Sequence, residues 1–89
     1  MKLTRFWFTF NLNLRDRQPP GVLIGCGVTA VDEDDAIRIL KEKLFFSYPF
    51  PDIKSITPNV DISTLDQAHV GPNMGDPSRR GVWFPLGYS

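Results

Sequence analysis

The chain has one cysteine, Cys26, and one histidine, His69, in 89 residues. A single cysteine excludes an internal disulfide, so stability must come from packing, and a reducing compartment fits best. One cysteine and one histidine also exclude the usual zinc spacings. A lone histidine excludes a pair of histidines sharing acid–base work. Net charge is missing too, since ten basic side chains cancel ten acidic ones. A balanced chain does not advertise a surface for nucleic acid or membrane. No apolar run approaches a membrane span, and Met1-Lys2 leads straight into a strand pattern without an apolar leader. There is no internal repeat and no low-complexity stretch. The expectation is one small domain over residues 1–89, without a membrane segment, in the cytoplasm.

What is present begins with alternation. Phe6, Phe8, Phe10, Leu12 and Leu14 interleave with Arg5, Trp7, Thr9, Asn11 and Asn13. A period of two is the signature of a strand with one buried face. Arg15 to Gly21, with Pro19 and Pro20, breaks regular structure. Val22 to Val31 then places Val22, Ile24, Cys26, Val28 and Ala30 on one side. Pairing Leu14 with Val22 sets Phe10 opposite Cys26 and Phe8 opposite Val28, with both apolar rows on one face of an antiparallel hairpin. In that register Trp7 lies opposite Thr29 and diagonal to Gly27.

Asp32-Glu33-Asp34-Asp35 opens a helix, with Asp32 as N-cap and acids complementing the helix dipole. Ala36, Ile37, Leu40 and Leu44 follow at helical spacing, and Tyr48-Pro49 ends it. Asp52 to Ile62 reads as a third strand, with Pro58 marking an edge or a bulge. Ser63 to Asp66 reads as a short capped turn. Gln67 to Gly81 is a long loop rich in glycine and proline, and Val82 to Leu86 is a last edge strand. The architecture is α+β: a two-layer ββαββ arrangement with one helix on a mainly antiparallel sheet of about four strands.

One helix leaves the other sheet face open, and that face carries both tryptophans, Trp7 and Trp83, with Arg5 beside them. Tryptophan and arginine are enriched at protein-binding hot spots. The same rings could stack on single-stranded RNA, or cover the glycines of the second strand with no ligand. The acidic run Asp32, Glu33, Asp34 and Asp35 offers a contact for a basic partner, besides starting the helix. The loop offers His69, Asn73, Arg79 and Arg80 as a ligand or catalytic set; alternatively it caps the core with Met74 tucked inward. Cys26 sits on the core row, where a small hydrophobe is expected. Gly25-Cys26-Gly27 lacks phosphate-loop spacing and context. Asp61 and Asp66 read as a strand end and a turn rather than a cation site. No cofactor or metal is expected.

Several segments together carry a resemblance. They are Trp7-Phe8-Thr9-Phe10, Gly25 to Ala30, Asp35-Ala36, Val60 to Asp66, His69-Val70, Pro72-Asn73-Met74-Gly75 and Arg80 to Pro85. Over nearly its whole length the chain resembles a group of short bacterial proteins of unassigned function, which implies a stand-alone domain and transfers no site residue. In type it is similar to immunity proteins of bacterial toxin–immunity pairs, including contact-dependent inhibition systems. That likeness implies a non-enzymatic protein whose partner is a toxin domain, blocked by steric occlusion. Homodimerisation through the tryptophan face is a further expectation.

Overall fold

The alternating stretch forms β1, Thr4–Asn11, and sends Phe6 and Phe8 to one side and Trp7 to the other. In this computed structural model, which describes every residue except Met1, Leu14, Asp16 and Ser89, four further elements follow. They are β2 (Cys26–Ala30), α1 (Glu33–Lys43), β3 (Asp52–Pro58) and β4 (Gly81–Phe84). The strands form one antiparallel sheet in the order β3-β1-β2-β4. One helix and a four-stranded sheet make the α+β fold that the patterning predicts.

Local chemistry explains the helix. The Asp32 carboxylate accepts the Asp35 N–H at 2.8 Å, satisfying one of the orphan donors at the helix start. Ala36, Ile39 and Leu40 are buried at helical spacing, whereas Ile37 is only half-buried. They meet Phe6, Phe8, Cys26 and Val28 in the main core.

The hairpin register differs from the expected one by two residues. Phe8 faces Cys26, Phe6 faces Val28 and Trp7 faces Gly27. The turn between Val22 and Gly25, closed by a Gly25 N–H to Val22 carbonyl bond at 3.1 Å, delays the ladder until Cys26. Leu14, the expected partner of Val22, lies outside the described residues. A slip of two keeps every side chain on its face, which is why the core row survives the error. The third strand stops at Pro58, and its bulge sits at Lys54, where Thr9 pairs with Ser55 but Phe10 with Ile53. Lysine, proline and a bulge on an edge strand all discourage pairing with another sheet.

The largest departure concerns the helix-free face. β3 and β4 occupy opposite edges, so residues 59–80 must cross the sheet. They cross it on the side away from α1. Val60 and Val70 are buried there against Trp7, Trp83 and Phe84, with Ile62, Leu65 and Met74 packed alongside. Gly75 N–H reaches the Trp83 carbonyl at 2.7 Å, and Thr29 Oγ1 donates to the Pro77 carbonyl at 2.6 Å. An irregular segment, carrying 3₁₀ turns at Ile62–Thr64 and Gly71–Asn73, takes the place of a second helix layer. The face is a second core, not an open surface.

One ion pair pins the end of this crossing to the helix. Arg80 donates to both carboxylate oxygens of Asp35, at 3.0 Å through Nε and 2.5 Å through Nη2, and the Val31 N–H adds a third bond at 3.1 Å. The Arg80 hydrogen bond holds the Asp35 carboxyl below its ordinary range, against burial, which pushes it up. A folded-state pKa below the unfolded one stabilises fully above the ordinary carboxylate range. That stabilisation is lost as pH falls through the folded value. Asp35→Asn is therefore expected to lose about 1–3 kcal/mol at neutral pH, and to show a shallower loss of stability in acid than the wild type. Urea unfolding at a series of pH values checks this; parallel pH curves for the two proteins would contradict it.

Candidate functional site

The two tryptophans are interior. Trp7 is 8% exposed and Trp83 1%, with ring centroids 5.9 Å apart and Phe84 5.5 Å from Trp7. Residues 59–80 close over both rings, so Trp7 and Trp83 do not form the open face that a single helix implies. The glycine-covering arrangement is the one realised. A Cβ on Gly27 would stand 2.5 Å from the Trp83 ring, and one on Gly25 2.7 Å from Trp7. Arg5 remains exposed on the rim, its Nε donating to the Val60 carbonyl at 3.4 Å.

The acidic run divides. Asp32, Glu33 and Asp34 are exposed, but Asp35 is buried in its pair with Arg80 and offers nothing to a partner. The loop set divides as well. Arg79 and Arg80 border a cleft with Asp76 and Gly81, beside the end of the sheet where Gly81 faces Thr29. His69 and Asn73 belong to a different depression. Cys26 is fully buried and its thiol is pushed up by desolvation, which suits a packing role.

That depression is a groove of about 450 Å³ at the Cys26 end of the sheet. It is lined by Pro20, Leu23 and Ile24 from the stretch before β2, by His69 and Asn73 from the crossing segment, and by Phe84, Pro85, Leu86 and Tyr88 from the end of β4 and beyond. Two bonds tie its parts together: Leu86 N–H to the Asn73 carbonyl at 2.8 Å, and Tyr88 OH to the Pro20 carbonyl at 3.2 Å. Gly21 turns at φ +90° directly against Pro85, where a Cβ would meet that ring at 2.9 Å. Among the described residues five large hydrophobic side chains are exposed. Three of them surround this groove: Leu23 at 72%, Leu86 at 60% and Ile24 at 43%.

The stretch that carries His69 and Asn73 is built from below. Val70, 1% exposed, anchors the crossing segment in the second core. The turn around it closes through Val70 N–H to the Asp66 carbonyl at 2.7 Å, and Asn73 Nδ2 donates to the His69 carbonyl at 2.8 Å. His69 and Asn73 are left exposed on the outside. His69 Nδ1 lies 2.7 Å from Asp66 Oδ2. The bond from His69, with the Ala68 N–H helping, lowers the Asp66 carboxyl below its ordinary range. An ionised carboxylate only accepts, so Nδ1 carries the proton in this contact, and in the neutral form of the ring Nε2 is left as an acceptor.

Sequence reasoning placed Ile24 on the core row and Leu23 on the opposite strand face; both stand in the turn before β2. The available signal was an apolar run directly after Pro-Pro-Gly, and again Leu86 between Pro85 and Gly87. Apolar side chains held in turns have no strand or helix face to hide them.

The fold and groove define an α+β domain with an apolar, aromatic-floored recess and one histidine–carboxylate pair at its edge. Comparisons with protein-family models, curated proteins and solved structures find no match. Among the described residues no three histidine, cysteine, aspartate or glutamate side chains stand close enough to share a metal ion, and no helix is long and apolar enough to cross a membrane.

Proposed function

We propose that the chain is a non-enzymatic protein-binding domain that docks through the groove, and in its most specific form an immunity protein that occludes a cognate toxin. One observation carries the reading: Leu23, Ile24 and Leu86 converge, exposed, on a single concave site. Contiguous exposed apolar surface with a polar rim marks interaction sites. The immunity role rests on the likeness in type, a small α+β domain whose build suits occlusion. The exposed Asp32, Glu33 and Asp34, at the other end of β2, supply a separate contact for a basic toxin surface.

Leu23→Asp is the test. Leu23 is 72% exposed, so the variant keeps its fold. Tagged wild-type chain expressed in its native cell is expected to retain a stoichiometric partner protein, and Leu23→Asp to retain at least about tenfold less, the effect of about 1.4 kcal/mol or more at a central apolar contact. The partner is expected to be toxic when expressed alone and harmless with the wild-type chain. Equal retention by both chains, or a wild-type chain that retains nothing, contradicts the reading.

A second reading is favoured by the Asp66–His69 pair beside Asn73: a small-ligand or catalytic domain with His69 Nε2 as acceptor or base. It would show itself as a metabolite carried through purification by the wild type and released by His69→Ala.

A further inference from the structure

We draw no further inference here: the strongest candidate, the apolar groove between the turn before β2 and the stretch after β4 with Leu23, Ile24 and Leu86 exposed at it, belongs to the site already described, and nothing in the structure shows what covers it.

Discussion

Trp83→Ala is expected to cost about 3–5 kcal/mol, the usual penalty for emptying a large aromatic site in a core. Total stabilities of about 5–15 kcal/mol are usual for proteins, so the variant should be close to unfolded at room temperature. Trp83 lies between the sheet and residues 59–80, against Trp7, with Gly27 beneath its ring. No neighbour can collapse into the space without moving a sheet strand. Its Nε1 finds no acceptor among the described residues, so the ring is there for its bulk, and Trp83→Phe should lose less than Trp83→Ala. Urea unfolding followed by circular dichroism measures the difference. A Trp83→Ala protein as stable as the wild type would mean that the ring is not a core element.

Gly25→Ala should be nearly as damaging, at about 2–5 kcal/mol, combining a disfavoured backbone with overpacking. Gly25 has φ +132°, a conformation that glycine adopts freely and L side chains rarely do. A Cβ there would stand 2.6 Å from the Phe8 carbonyl oxygen and 2.7 Å from the Trp7 ring. The oxygen belongs to a sheet strand and the ring is packed in the second core, so neither gives way cheaply. Gly27 differs: its φ lies outside the left-handed region, and the three atoms nearest to an added Cβ all belong to the Trp83 ring. Gly27→Ala should therefore destabilise by sterics alone, and less. The same urea series reads both; a Gly25→Ala protein with an unchanged midpoint would contradict the close approach.

These two glycines also show where the sequence was legible. Alternation along β1 set which side chains face α1, and that holds even though the register is two residues off, because parity is insensitive to an even slip. The helix start was legible because capping is local: Asp32 needs only the N–H three residues on. The destination of residues 59–80 was not. That segment has no period, and its buried Val60 and Val70 lie far apart in sequence from the tryptophans they meet. Whether a sheet face is open depends on such a crossing, so exposed tryptophans followed from the single helix but not from the fold. Asp35 is a similar case. Within the acidic run nothing sets it apart; its partner Arg80 comes from the far end of the crossing. The groove was hidden for the same reason, since its walls come from three separated stretches, around Pro20, His69 and Pro85.

The account turns on the helix-free face being a second core, with binding moved to the groove at its edge. The most direct measurement is acrylamide quenching of native tryptophan fluorescence in the wild-type chain. With Trp7 at 8% and Trp83 at 1% exposure, the emission should be blue-shifted from that of free tryptophan and resist quenching until the protein is unfolded in urea. Emission at the free-indole position, quenched as readily before unfolding as after, would show an open tryptophan face and return the binding site to it.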